Sequence, residues 1–394
     1  MAATASRVVT IIADDLTGAC DTGCLFAGPG PVGVEAEPAL LATERTVITV
    51  DTESRSLARE AAATVARATA GRLRERLAAG PVFKKIDSTM RGAVAAELTA
   101  LLEPGSRFTG ALVCPAFPAQ RRLVSHGRLL VEGTPVHESA IGRDPAFRAA
   151  TSVLASLLAG GPPVVALGLD DVRAGSEKIA HILERHEGAI VAADAETDAD
   201  LASLAEAALS CPGTLIAGSA GLGRAVSHAL GCGGPWVTLP SARARLVVIG
   251  SLHPASRAQL EALAGAGVAL VSVDAHGHTD PAPAVAALAS GRAALVASTT
   301  TPASREAVAR HLAQAAARVL ERAEPDLVAV TGGDTAYALV RALRPRRFDL
   351  LGAPADGLAL GRLTREDGRG LSLLTKAGGF GSADLFAALL EGTS

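Results

Sequence analysis

Aromatic residues are scarce in this chain of 394 residues: they make up 3% of it, with one Trp and one Tyr. That scarcity removes base-stacking platforms as a theme, and a net charge of −3 gives no basic surface for nucleic acid. No stretch approaches the ~20 apolar residues of a membrane span. The short polar N-terminus lacks the basic-then-apolar order of a signal peptide. No Gly-x-x-x-x-Gly-Lys-Ser/Thr occurs, which excludes a P-loop, and no clean Gly-x-Gly-x-x-Gly follows the first apolar run, which weakens a dinucleotide site. Cysteine is sparse as well. Cys20, Cys24, Cys114, Cys211 and Cys232 are odd in number and contain no Cys-x-x-Cys, so they are expected to pack as small hydrophobes in a reducing compartment. His276 and His278 share a loop with no third ligand nearby and are expected to face solvent. These absences describe a soluble, cytoplasmic protein with neither nucleic acid nor membrane as partner.

What is present is a repeating pattern: a short apolar run, a polar or glycine-rich turn, then an alanine-rich helical stretch. Continuous apolar runs suit strands buried on both faces. Such runs cover residues 8–13, 46–50, 82–83, 111–114, 164–167 and 215–217 in the first half, and 246–249, 269–273, 294–297, 327–330 and 371–374 in the second. Between the halves, residues 231–245 are rich in turn formers and lack periodicity, which reads as a linker. The expected fold is therefore α/β, with two domains, each a mainly parallel sheet flanked by helices: residues 1–230, a linker over 231–245, and residues 246–394.

The most informative segment is Ile12-Ala13-Asp14-Asp15-Leu16-Thr17-Gly18. An apolar run stops at two adjacent carboxylates and a helix-like stretch begins, which is how α/β proteins place reactive groups at the carboxyl edge of a parallel sheet. Two such carboxylates repel, so a cation or polar substrate is expected between them. Helix capping by Asp15 or Thr17 is the plainer alternative. Charge also follows the second and third runs, as Arg55, Lys84, Lys85, Asp87 and Arg91. Arginine forks suit a carboxylate and aspartates suit sugar hydroxyls, so a converging edge would hold a small hydroxylated acid. In the second half, Gly332-Gly333-Asp334-Thr335 and Gly378-Gly379-Phe380-Gly381 fall at turns that expose backbone N–H groups, with Ser251 and Lys376 beside strand ends. Such ends attract phosphate.

In this order the motifs Ala13–Ala19, Ser54-Arg55, Lys84–Gly92, Pro115-Ala116-Phe117-Pro118, Gly250-Ser251 with Pro254, Thr331–Ala336 and Thr375–Gly381 resemble the four-carbon acid sugar kinase family over nearly the whole chain. The resemblance implies an acid-sugar domain followed by a nucleotide domain, and an ATP-dependent kinase for the terminal hydroxyl of threonate, erythronate or 3-oxo-tetronate, with ATP and Mg²⁺ as cofactors. It implies catalytic roles for Asp14, Asp15 and Asp87, and acid binding by Arg55, Lys85, Asp87, Ser88 and Arg91. Nucleotide binding would fall to Ser251, Gly332, Gly333, Asp334, Thr335, Lys376, Gly378 and Gly379. The protein ligands of the metal are not readable, and a homodimer is left open. The family usually reads Gly-Arg where this chain has Arg121-Arg122, Asn and Gly where it has Ala93 and Ala95, and Gly-Glu with a later Pro-Gly where it has Ala353 and Asp356-Gly357. The readings from other classes are an NAD(P)-linked dehydrogenase of small hydroxy acids, with Glu53 on the ribose, and a non-catalytic acid-sugar sensor.

Overall fold

Short runs of Val, Ile, Leu and Ala with no polar face form strands, because only a sheet covered on both sides can bury them. The computed structural model describes residues 8–28, 30–35, 45–144, 148–251, 253–274, 276–298 and 304–391. Leu252, in the turn expected after residue 249, and Thr299–Pro302, in the turn expected after residue 297, lie outside the described residues. The fold is α/β, and the chain divides into two compact units. The first comprises residues 1–14 and 37–233, the second residues 15–36 and 234–394.

Val9–Ala13 forms β1 of the first unit. The next elements, α1 (Leu16–Leu25) and β2 (Val32–Glu35), belong to the second unit. The chain resumes the first unit as β3 (Val47–Asp51), α2 (Arg59–Arg72), α3 (Arg74–Ala79), β4 (Val82–Lys85), α4 (Val94–Leu101) and β5 (Gly110–Cys114). A small antiparallel sheet of β6 (Arg122–Ser125), β7 (Arg128–Val131) and β8 (Thr134–Pro135) follows, then α5 (Leu154–Leu157). The unit is completed by β9 (Val164–Leu167), α6 (Leu169–Arg173), α7 (Ser176–Arg185), β10 (Ile190–Ala193), α8 (Asp198–Ser210), β11 (Thr214–Gly218) and α9 (Ala220–Ala229). Its main sheet runs β3-β1-β4-β11-β5-β10-β9, parallel throughout. The carboxyl ends of β1, β3, β4, β11 and β5 thus lie side by side, where α/β proteins bind ligands.

The second unit continues with β12 (Arg245–Ile249), α10 (Pro254–Gly265), β13 (Ala269–Val273), α11 (Ala282–Ala289), β14 (Ala294–Ser298), α12 (Arg305–Leu320), β15 (Leu327–Thr331) and α13 (Gly333–Leu343). It ends with β16 (Arg347–Gly352), β17 (Leu358–Thr364), β18 (Gly370–Lys376) and α14 (Leu385–Glu391). Strands β13-β14-β12-β15-β18 are parallel, and β18-β17-β16-β2 continue antiparallel. Its core gathers Val247, Ile249, Leu295, Ala329, Leu360, Leu374 and Phe386.

Sequence reading places the segment after β1 in the N-terminal domain, whereas α1 packs against β16, β17, β18 and α13 of the second unit. Its apolar face, Leu16, Ala19, Cys20 and Cys24, is fully buried there, and the Cys24 thiol lies 3.1 Å from the Gly352 carbonyl oxygen. All five cysteines are buried and none is in a disulfide. Burial pushes the Cys24 thiol far above its ordinary pKa and Cys114 up to about 12, so both stay protonated and inert. The expected linker over 231–245 carries no helix or extended strand before β12 begins at Arg245.

Candidate active site

The first cluster lies at the carboxyl edge of the first unit. The loop after β3 is clasped to the end of β1: Thr52 N–H donates to the Ala13 carbonyl at 2.9 Å, Thr52 Oγ1 to the same oxygen at 2.8 Å, and Arg55 N–H to the Asp14 carbonyl at 3.1 Å. This brings the Arg55 fork onto the Asp14 carboxylate, Nε to Oδ2 at 2.8 Å and Nη2 to Oδ1 at 2.7 Å. Burial works to raise the Asp14 carboxyl, but Arg55, with Lys84 and Lys85, outweighs it and holds the group below the usual carboxylate range. Lys85 is buried at the end of β4.

The loop after β4 is organised by Asp87. Its Oδ1 accepts from Thr89 N–H at 2.9 Å and from the Thr89 hydroxyl, and its Oδ2 accepts from Arg91 Nη2 at 2.6 Å. Arg55 Nη1 stands 4.0 Å from the same Oδ2. Burial again opposes ionisation, yet Arg91 and Arg55 hold Asp87 well below the carboxylate range. Ser88 sits half-buried in this turn. The residue before Lys85 plays another part: Lys84 Nζ meets Glu97 Oε2 of α4 at 2.6 Å, with both side chains almost wholly buried. It ties α4 to the sheet, and its charge also acts on Asp14.

Asp14 is neutralised by Arg55, while Asp15 is the N-cap of α1, accepting from Gly18 N–H at 3.0 Å and from the Thr17 hydroxyl at 2.8 Å. Both of these bonds are those of a helix cap. Arg55 and Arg91, expected as forks for a ligand carboxylate, are engaged by the internal carboxylates of Asp14 and Asp87.

The second cluster lies at the carboxyl ends of β12, β15 and β18, adjacent strands of the second unit. Gly332 has φ of +99°, a conformation that side chains rarely adopt, and a Cβ there would lie 3.1 Å from Ser251 N. A Cβ at Gly378 would collide with the Ser251 hydroxyl, and one at Gly333 would lie 2.8 Å from Asp15 Oδ2. The turns at Ser251, Gly332 and Gly378 therefore meet with no room for side chains, beside the N-terminus of α13. Thr335 is buried in the first turn of that helix, and Asp334 is exposed there. Gly379 approaches His253, whose ring accepts from Ala255 N–H at 3.2 Å to cap α10.

Lys376 was expected to offer phosphate a cation. The structure instead buries it completely, and its Nζ donates to the carbonyls of Ala377 at 3.0 Å, Gly378 at 3.3 Å and Phe380 at 2.9 Å. Burial lowers its pKa to about 8. Its ammonium shapes the turn from within. Two residues of α10 that sequence reading passed over do the same work: Ser256 donates to the Gly378 carbonyl at 2.8 Å, and Gln259 Nε2 to those of Phe380 at 3.2 Å and Ser382 at 2.9 Å. Their only signal is spacing, polar residues three apart on a helix face that is otherwise apolar. Among the described residues no group of His, Cys, Asp and Glu could hold a metal by itself. His278 Nδ1 lies 3.0 Å from Asp274 at the exposed loop.

An α/β protein whose one unit balances carboxylates with arginines and whose other gathers glycine turns at a helix N-terminus has the parts of a small-molecule phosphotransferase. Comparison with known proteins supports this. Residues 9–226 match the family described as sugar-binding N-terminal domain, and residues 246–386 that described as nucleotide-binding C-terminal domain. The chain is 34% identical to the D-threonate kinase of Bordetella bronchiseptica, over 96% of this chain and 95% of that protein. It is 31% identical to the D-erythronate kinase of Heliobacterium modesticaldum over 69% and 64%, and 29% identical to the 3-oxo-tetronate kinase of Pseudomonas fluorescens over 96% and 95%. Among solved structures, a citrate-bound, domain-swapped dimeric protein of Bordetella bronchiseptica matches at 32% identity over 98% of each chain, with a TM-score of 0.51. A Salmonella typhimurium protein described as a putative tRNA synthase shares the fold at 20% identity, over 97% of this chain and 98% of that one, with a TM-score of 0.75. The chain belongs to the four-carbon acid sugar kinase family. It is a kinase for sugar acids, a phosphotransferase with an alcohol group as acceptor. Among the described residues no helix is long and apolar enough to cross a membrane.

Proposed function

We propose that this protein transfers the γ-phosphoryl group of ATP to the terminal hydroxyl of a four-carbon sugar acid, with D-threonate, D-erythronate and 3-oxo-tetronate as the candidate acceptors. The observation that carries the reading is the meeting of the Ser251, Gly332 and Gly378 turns at the α13 N-terminus, a cradle that any Cβ would fill. Phosphate oxygens fit such a place because they accept from backbone N–H groups and favour the positive end of a helix. The residues fit ATP in this respect. The cluster of Asp14, Lys85, Asp87, Ser88, Arg55 and Arg91 fits a hydroxylated acid, and a solved relative carries citrate, itself a hydroxylated carboxylic acid.

Phosphoryl transfer needs alignment and charge neutralisation more than covalent help. The arginine-held Asp14 and Asp87 are weak proton acceptors, and their part is to keep Arg55 and Arg91 rigid. Asp15, hydrogen-bonded to a hydroxyl and an amide and adjoining Gly333, is the residue assigned to orient the acceptor hydroxyl and receive its proton. Mg²⁺, when bound with the nucleotide, neutralises phosphate charge and needs few protein ligands. Measuring ATP consumption across the three acids, with NAD⁺ and NADP⁺ reduction followed in parallel, tests the proposal. ATP turnover with at least one acid and no reduction of either dinucleotide is expected. No ATP turnover with any of them would refute it.

A further inference from the structure

The arginines read first as carboxylate ligands are occupied, which raises the question of what neutralises an acid in this unit. The loop after β5 supplies an answer. It is bound to the edge already described: Ile86 N–H, next to Asp87, donates to the Gly218 carbonyl of β11 at 2.9 Å, and Ser219 Oγ donates to the Ala116 carbonyl at 2.6 Å. The chain then turns through Arg121, a non-glycine residue at φ of +57°, so that Arg122 opens β6 with its backbone paired to Phe117 in both directions. Residues held in that conformation cluster at ligand sites because surrounding structure must enforce them. Among the described residues, the Arg122 guanidinium makes one hydrogen bond, from Nη1 to the Gln120 carbonyl. It is mostly buried, and the charges of Asp87, Arg91 and the exposed Glu132 act on it. A guanidinium carries five N–H donors, and among the described residues the rest of this fork is committed to no carboxylate.

We infer that Arg122 binds the carboxylate of the substrate acid, completing a site in which Arg55 and Arg91 are braced by Asp14 and Asp87. This rests on the proposed reading of the first unit as the acid-binding one. A mostly buried cation beside the internally balanced Asp87–Arg91 pair leaves positive charge for an anionic ligand to meet.

The test is steady-state kinetics of wild type, R122Q and R122K, with D-threonate and its neutral amide as acceptors and folding checked by thermal melting. In R122Q the KM for the acid is expected to rise about 10- to 100-fold, the span for one lost charged hydrogen bond. KM for ATP should hold, and the preference for acid over amide should collapse. R122K, which keeps the charge but not the fork, should recover part of the loss. An R122Q enzyme with unchanged KM for the acid, or one that loses kcat alone, overturns the inference while leaving the kinase reading intact. Absence of turnover in wild type with every acid overturns the kinase reading, and this inference falls with it.

Discussion

Asp15 and Gly333 share one small space: a side chain on Gly333 would put its Cβ 2.8 Å from the Asp15 carboxylate oxygen Oδ2. The carboxylate that caps α1 thus stands against the start of α13. Both belong to the second unit, although Asp15 follows β1 of the first by only two residues. Replacing Gly333 by Ala would normally stabilise a helix by about 0.5–1 kcal/mol. Here that gain must work against a contact that forces Asp15 to move. G333A is expected to melt no higher than wild type and to lose at least about tenfold in kcat/KM, a barrier change of about 1.4 kcal/mol. A variant with a raised melting temperature and full activity would show that the two residues are independent.

Asp15 itself is tested by D15N. Asparagine keeps an oxygen to cap α1, so stability should fall by no more than about 1 kcal/mol. It accepts no proton, and kcat should drop by about 10²–10⁴-fold, the ordinary contribution of a positioned acid or base. Binding of ATP, followed by calorimetry, should be unchanged. Wild-type turnover in D15N would remove Asp15 from the reaction and return the choice to Asp14 and Asp87.

Much of this site is legible in the sequence, and the illegible part has a physical pattern. Strand-end turns announce themselves because glycine and charge interrupt apolar runs, which is how Asp14, Arg55, Asp87, Ser251, Gly332 and Gly378 could be picked out. What periodicity cannot give is each side chain's partner. Lys84 and Lys85 are neighbours of one type whose charges both act on Asp14, yet it is Lys84 that pairs with Glu97 across to α4. Lys376 has the composition of a phosphate ligand and the placement of a turn brace. The segment 15–36 follows β1 like an ordinary crossover helix, and only tertiary contacts assign it to the other unit. Strands β2, β10, β16 and β17 escape a search for long apolar runs, being either short or broken by polar and glycine residues.

The arginine-bound aspartates set the response to acid. A carboxyl whose folded pKa lies below its unfolded value of about 3.9 contributes stability that is present above that value and lost as pH falls through the folded pKa. Asp14 and Asp87 are both of this kind. Stability should therefore be level near neutrality and decline steeply below about pH 4, the unfolded carboxyl range. D87N should start from a lower plateau, having left Arg91 without its partner carboxylate, and should decline less steeply. Denaturant melts from pH 3 to pH 7 read both effects, and parallel curves for the two proteins would contradict the assignment.

Lys376 gives the opposite sign. Its pKa is lowered by burial to about 8, so between there and the unfolded value of about 10.4 the unfolded chain binds more protons. Stability therefore rises with pH across that window, as the fold ceases to bury a charge. K376M removes the effect and also strips the carbonyls of Ala377, Gly378 and Phe380 of their common donor. The variant should bind ATP at least about tenfold more weakly, about 1.4 kcal/mol, because the Gly378 turn is no longer held. The stability difference between wild type and K376M should shift toward wild type from pH 8 to pH 10. A constant difference would mean that the ammonium is already solvated.

The Lys84–Glu97 pair is foremost a test of stability, since both groups are buried and meet each other, although the Lys84 charge also acts on Asp14. Breaking it from one side strands a charge, so K84M or E97Q should each destabilise by about 3–5 kcal/mol. Removing both charges together, as in K84M/E97L, restores an apolar contact between β4 and α4 and should recover most of that loss, because the desolvation of two ions is no longer required. Activity per folded molecule should stay near wild type in the double variant. A double variant as unstable as the sum of the single ones would show that the two side chains act separately. One that folds well but fails to turn over would place Lys84 among the residues that meet the acid.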